Sequence, residues 1–188
     1  MRISIIGLGG SGKTHLAKRL ARELGVPLIS LDRIWISSGG ETMRSASEKE
    51  TARQHLHGRV RELIEQPDWI CEGVYRRIQP EITAGADIVI YLPKSLPRRV
   101  TNHFVRTFRP HERHPELSLL DDLKHTFVII RKHPKRSRHL RELLATSADK
   151  LVVLPDRHAV NQMLRTLPAD TRQVVDHIRS HARKYRRR

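Results

Sequence analysis

Cysteine is almost missing from this chain of 188 residues, which carries only Cys71. One thiol excludes a disulfide framework and a cysteine-rich zinc cluster, and Cys71 lies inside the apolar run WICEG, so it reads as a buried strand thiol. Aromatics are also sparse, with two Trp, three Tyr and three Phe. They form no row on which single-stranded bases would stack. No apolar run reaches the roughly 18 residues of a membrane-spanning helix. The apolar start runs straight into glycines, with no signal-peptide core or cleavage site, so a soluble, cytoplasmic protein is expected. Acidic residues are outnumbered, 20 Asp and Glu against 36 Lys and Arg, for a formal net charge of +16. The excess lies in the second half, in RRVTNHFVRTFRP, RKHPKRSRHLR and the tail RSHARKYRRR, and it will draw polyanions. Nucleotide phosphates account for a few of these cations. The tail is either a solvated basic helix end or a nucleic-acid contact. Among the 12 histidines, the pairs His55 with His57, His111 with His114 and His125 with His133 lack the spacing and acidic company of a metal pair, and no metal is assigned to them.

What the chain does have is concentrated at its start, in MRISIIGLGGSGKTHLAKRLARELG. Ile3 to Ile6 suit a short buried strand. His15 to Leu24 carries Leu16, Ala17, Leu20, Ala21 and Leu24 at helical spacing. Between them, Gly7 to Thr14 fits G-x-x-x-x-G-K-[ST], the phosphate-cradling P-loop. A loop so rich in glycine surrenders backbone entropy, and a bound phosphate is what offsets it. The N–H groups of Gly7, Gly9, Gly10, Ser11 and Gly12, with His15 in the first helical turn, would face phosphate oxygens at a helix N-terminus. Lys13 would reach the β- and γ-phosphates, and the Thr14 hydroxyl would sit on Mg²⁺. ATP and Mg²⁺ are therefore the expected cofactors.

The rest of the chain reads as alternating strands and helices of one domain, 38% hydrophobic, with no repeat and no linker. Further strands are predicted at Val26 to Leu31, Asp68 to Gly73, Asp87 to Leu92 and Lys150 to Pro155. All are apolar on both faces, as parallel strands covered by helices are. A helix after the second strand is predicted to start at a capping box of Ser47 and Glu50 and to carry Ala52, Leu56, Val60, Leu63 and Ile64 in one stripe. Others are predicted at Leu96 to Phe108, Ser118 to Lys132, Lys135 to Leu144 and around Ala159 to Leu167. Asp170 caps a last, basic helix within 168–188.

A P-loop alone does not choose among kinases, GTPases and motors. The GTPase strings D-x-x-G and N-K-x-D are absent. DWICEGVYRR resembles the DGFPR segment of adenylate kinase and related nucleoside-monophosphate kinases. LDRIWI, DWICEGVY, ADIVIYLP and LVVLP together are similar to motifs of the adenylate-kinase-like DNA topology modulation proteins, over about residues 1 to 167. That resemblance implies an α/β P-loop fold of the nucleoside-monophosphate-kinase type, a three-layer sandwich with five parallel strands in the order 2-3-1-4-5. It also implies that Arg76 binds the acceptor or its phosphate, and that the adenine lies by the loop at Pro155 and Asp156. The chain departs from the pattern at Glu72, where the family has Asp, and at Pro93, where it has an acid.

Ligands collect at the carboxyl ends of parallel strands. Asp32, just after the second strand, could orient an acceptor hydroxyl and take its proton, or else cap a turn or pair with Arg33. Glu72 would hold Mg²⁺ through water, or else be a buried acid paired with an arginine. Phosphoryl transfer needs positive charge and exclusion of water, so an arginine-bearing lid over about 98–135 is expected, with Arg99, Arg106 and Arg109 as candidates. Arg99 and Arg106 share one helical face, which is also how solvated arginines look. The leading expectation is transfer of the γ-phosphoryl of Mg-ATP to a nucleotide-like or other small acceptor by a monomer or dimer. A nucleic-acid-associated ATP-binding protein, or a kinase acting on a polynucleotide hydroxyl, is the alternative.

Overall fold

A computed structural model describes residues 1–40, 45–107, 127, 130–131, 133–168 and 170–186. Five short apolar runs form β1 (Arg2–Ile6), β2 (Leu28–Ser30), β3 (Trp69–Glu72), β4 (Ile88–Tyr91) and β5 (Leu151–Val153). Every pairing is parallel and the order is β2-β3-β1-β4-β5, as the resemblance implies. The helices are α1 (Lys13–Leu24), α2 (Leu31–Ser37), α3 (Ala46–Ile64), α4 (Gln79–Gly85), α5 (Leu96–Thr107), α6 (His133–Thr146), α7 (Arg157–Arg165) and α8 (Thr171–Arg186).

Side chains alternate across a strand, so a sheet buried on both faces sorts its residues into two cores. Ile3, Ile5, Ile70, Ile88, Ile90 and Val152 pack with α1, α7 and α8 through Leu16, Leu20, Met163, Val174 and Ile178. Ile6, Trp69, Cys71 and Val89 pack on the other side with α3, α4 and α6 through Leu56, Val60, Ile82, Leu140 and Leu143. The result is a three-layer sandwich. Burial, with Glu72 beside it, pushes the Cys71 thiol pKa upward, which leaves it an inert strand residue.

The register brings one strand end beside the next. Ile5 and Ser30 both face Glu72, and Tyr91 lies between Ile6 and Val153. The residues just beyond each strand are therefore gathered along a single edge.

Three expectations are corrected. Strand β2 stops at Ser30, because Leu31 is already the first residue of α2. The capping box of α3 is Ser45 with Glu48, not Ser47 with Glu50: the Ser45 hydroxyl accepts from the Glu48 N–H at 3.1 Å, and the Glu48 carboxylate accepts from the Ser45 N–H at 3.0 Å. Glu50 is held instead by Arg53 and Arg77. Helix α4, after the third strand, was given no predicted span. The basic terminal helix docks by one face, since α8 buries Val174 and Ile178 completely against the sheet, while the side chains from residue 182 onward lie outside the described residues. It also sets His177 against His181, an i, i+4 pair with ring centroids 4.8 Å apart and planes tilted by 41°. The helix expected over Ser118 to Lys132 lies almost entirely outside the described residues.

Docking of α8 has a measurable consequence. Ile178→Ala removes buried methyl groups and should cost about 2–5 kcal/mol in urea or thermal unfolding. Arg172→Ala, on the exposed face, should stay within about 0.5 kcal/mol. Equal effects would mean that α8 contributes charge and no packing.

Candidate functional site

The phosphate loop joins β1 to α1 and is held from outside by α5. The Ser11 N–H donates to the Leu8 carbonyl at 3.1 Å, closing a turn. Arg99 Nε donates to the Gly9 carbonyl at 2.8 Å, and Asn102 Nδ2 to the Gly10 carbonyl at 2.9 Å. In a trans peptide the N–H points opposite to the preceding carbonyl. The Gly10 N–H therefore faces away from α5. Gly10 has φ +80°, and a Cβ there would lie 2.6 Å from the Arg99 carbonyl oxygen. A side chain would meet both a left-handed backbone and a neighbouring main chain. Lys13 is half-buried, while Thr14 and His15 are exposed in the first turn of α1. Lys13 has no ion pair among the described residues.

At the centre of the edge sits a buried acid. Glu72 is 1% exposed, and both its oxygens accept hydroxyl protons, from Ser30 Oγ at 2.7 Å and Thr14 Oγ1 at 3.2 Å. Its partners are hydroxyls, not the arginine that the structural alternative required. One carboxylate thereby reaches both α1 and the end of β2. These are hard oxygen donors of the kind Mg²⁺ takes when one or two protein groups share it with phosphates and water, so the donor set fits that ion. Among the described residues, no group of three or more His, Cys, Asp or Glu could form a fuller cage.

Beside this centre lie the residues after β2 and β3. Asp32 is exposed in the first turn of α2, where a negative charge complements the helix dipole. It neither caps the turn nor pairs with Arg33. Arg76 is exposed and unpaired among the described residues, whereas Arg77 binds Glu50 at 2.6 Å and so anchors the segment after β3 to α3. Hydrogen bonds from Arg77 and then Arg53 hold the Glu50 carboxyl below its usual range. Trp35, one turn beyond Asp32, and Tyr75, next to Arg76, set their ring centroids 6.2 Å apart.

On the other flank, Lys94 follows β4, with Arg98 and Arg157 nearby; burial first, and then repulsion from those two cations, lowers its pKa. Pro155 is exposed after β5, and Asp156 caps α7 by accepting from the Ala159 N–H at 2.8 Å. Arg99 is fully buried, not a solvent-facing lid residue. The side chain of Arg106 and the whole of Arg109 lie outside the described residues. The structure thus brings Gly7–His15, Glu72 and Arg99 together at the loop, sets Asp32 and Arg76 on its β2–β3 side, and leaves Pro155 by β5. Ser30, Asn102, His133, Trp35 and Tyr75 were not foreseen. A hydroxyl inside the apolar run LIS was the one local hint of Ser30.

Two glycines separate backbone strain from crowding. Gly25, with φ +66°, has nothing within 4 Å of where a Cβ would stand, so Gly25→Ala should cost only the left-handed backbone, roughly 1–2 kcal/mol. Gly10→Ala should cost measurably more in urea unfolding, because it must also displace the Arg99 carbonyl. Equal costs would show that α5 yields freely.

Comparisons with known proteins agree with this architecture. Residues 3–168 match the protein family described as the AAA domain. No curated protein matches the chain. Among solved structures, a shikimate kinase from Bacteroides thetaiotaomicron is similar with TM-score 0.58 and 21% identity, over 88% of this chain and 94% of that one. A shikimate kinase from Acinetobacter baumannii in complex with shikimate is similar with TM-score 0.53 and 20% identity, over 87% of this chain and 88% of that one. At such identity the likeness is one of fold, that of P-loop kinases with a five-stranded parallel sheet. With the family match spanning nearly every element from β1 to α7, the chain belongs to the AAA-domain family.

Proposed function

We propose that the chain is an ATP-dependent phosphotransferase of the P-loop kinase type, moving the γ-phosphoryl group of Mg-ATP to a small acceptor, nucleotide-like or bearing another hydroxyl or phosphate. The observation that carries this reading is the division of one sheet edge into two unlike halves. A glycine loop with Lys13 and the Thr14–Glu72 pair occupies the centre. Beside it stand a carboxylate and a guanidinium without ion-pair partners among the described residues, next to an indole and a phenol. A pure ATP-binding module has no need of the second half. The two kinases that share the fold add support, one of them holding shikimate. The finer likeness to adenylate-kinase-like proteins, including the DNA topology modulation group, belongs to the same proposal.

In this reading the loop amides, the N-terminus of α1 and Lys13 receive the triphosphate. Thr14 and Glu72 would hold Mg²⁺, which when bound would supply charge neutralisation for the phosphates. Asp32 accepts the proton of the acceptor hydroxyl while its oxygen bonds to the γ-phosphorus and the bond to the β–γ bridging oxygen breaks, leaving ADP. Arg76 holds an anionic group of the acceptor. On the same reading Arg106 and Arg109 have the role of supplying positive charge to the transferring group, and Pro155 borders the base.

One observation favours a polynucleotide as acceptor or partner. Helix α6 exposes Lys135, Arg136, Arg138 and Arg141, none in an ion pair among the described residues. Oligonucleotide affinity that falls steeply with salt would support that second reading, because each neutralised phosphate releases counterions.

Two variants test the main reading. Lys13→Ala should abolish turnover, by at least about 10², and leave the melting temperature nearly unchanged, since Lys13 lies outside both hydrophobic cores. Asp32→Asn should keep ATP binding and lower transfer to the true acceptor by roughly 10² to 10⁴. Parent-like turnover by Lys13→Ala would reject the site. Parent-like transfer by Asp32→Asn would move the acceptor away from β2.

A further inference from the structure

Arg99 presents a physical problem. It is fully buried, and arginines are almost never so unless paired. No carboxylate pairs with it among the described residues. Its compensation is the phosphate loop, through Nε to the Gly9 carbonyl at 2.8 Å, and the first residue of α6, through Nη1 to His133 Nδ1 at 3.0 Å. Its Nη2 has no hydrogen-bond partner among the described residues. Burial first, and then Arg136, lowers its pKa, the direction expected of a cation short of partners. A positive charge left so far unneutralised is costly in the empty protein and becomes favourable once an anion arrives nearby.

The anion need not touch it. The guanidinium sits on the outer side of the Gly9–Gly10 peptide, and the Gly10 N–H faces away from α5. A charged donor on a carbonyl polarises the whole peptide unit and strengthens its N–H as a donor. Asn102, almost one turn further along α5, pins the next carbonyl, that of Gly10, at 2.9 Å. The Arg99 main chain meanwhile packs so close to Gly10 that no Cβ would fit. Arg99 therefore controls both where the loop lies and how strongly one of its amides donates.

We propose that Arg99 is a positioning residue of the nucleotide site, acting on the bound phosphates through the Gly9–Gly10 peptide, and that His133 holds its guanidinium in place from α6. This role rests on the reading of the loop as a triphosphate site. A guanidinium offers donors only, so His133 must accept at Nδ1 and carry its proton on Nε2. Ser137 Oγ lies 3.1 Å from the same Nδ1. The loop is thereby tied both to α5 and, across the intervening segment, to α6.

The probe is inorganic tripolyphosphate with Mg²⁺, which engages the loop without a base or an acceptor. Its dissociation constant is measured by calorimetry for the full-length parent, Arg99→Met, His133→Leu and His133→Asn, each checked by thermal unfolding. The Gly10 amide resonance is followed by NMR. Loss of a hydrogen bond to a charged group predicts binding about 10- to 100-fold weaker for Arg99→Met and His133→Leu. The Gly10 amide shift on adding tripolyphosphate should shrink in both. His133→Asn restores an acceptor near the Nδ1 position and should bind within about threefold of the parent. A general packing defect would weaken His133→Asn and His133→Leu alike, with no selective change at Gly10, and would overturn the proposal. Parent-like binding by both Arg99→Met and His133→Leu overturns it as well. Should Arg99→Met not fold, the His133 pair and the Gly10 resonance decide alone. A parent protein that binds no tripolyphosphate overturns the triphosphate reading, and this role with it.

Discussion

A carboxylate taken out of water must have its oxygens hydrogen-bonded, and the burial of Glu72 imposes that demand at the centre of the sheet. The two hydroxyls that meet it come from opposite directions: Thr14 opens α1 behind the phosphate loop, and Ser30 ends β2 just before Asp32. One buried charge thus fixes the loop relative to the segment that carries the proposed base. The parallel register makes this possible, because β3 lies between β1 and β2 and Glu72 is level with Ile5 on one side and Ser30 on the other. An antiparallel neighbour would have sent its following loop to the far edge.

The long-range part of the fold was legible because parallel strands buried on both sides are continuous apolar runs, and five such runs are spaced along the chain. The glycine loop was legible for a similar reason, since few other functions need that order of residues. Short helices were not. LDRIWIS and QPEITAG span two turns each, too little for a 3.6-residue period to show, and Asp32 looked like a loop residue in consequence. Two overlapping Ser-x-x-Glu frames compete at the start of α3. The choice is made by Arg77, 27 positions from Glu50 in sequence and in contact with it in space. No local pattern contains that information.

Arg99 and α8 show how charge counting misleads. The seven-residue spacing of Arg99 and Arg106 marks a shared helical face without saying whether the face meets water or protein. In α8 the arginines share a helix with Val174 and Ile178, whose spacing is that of a buried stripe, so net charge alone does not say which face meets water. The charge itself keeps a functional place, since Lys94, Arg98 and Arg157 line the β4–β5 flank and α6 turns four cations to solvent. Positive potential on several sides of a phosphate loop raises the local concentration of anionic ligands. It leaves the division of labour between nucleotide and polyanion to the acceptor half of the site.

That half is also where the account can be tested most directly. Parent protein is incubated with Mg²⁺ and ATP labelled at the γ-phosphate, in separate reactions with nucleosides, nucleoside monophosphates, small polyols and oligonucleotides. The label is then followed by chromatography. The account predicts that with at least one small acceptor the label moves into an organic phosphate faster than inorganic phosphate is released. Label appearing only as inorganic phosphate, at one rate whatever acceptor is present, would contradict it.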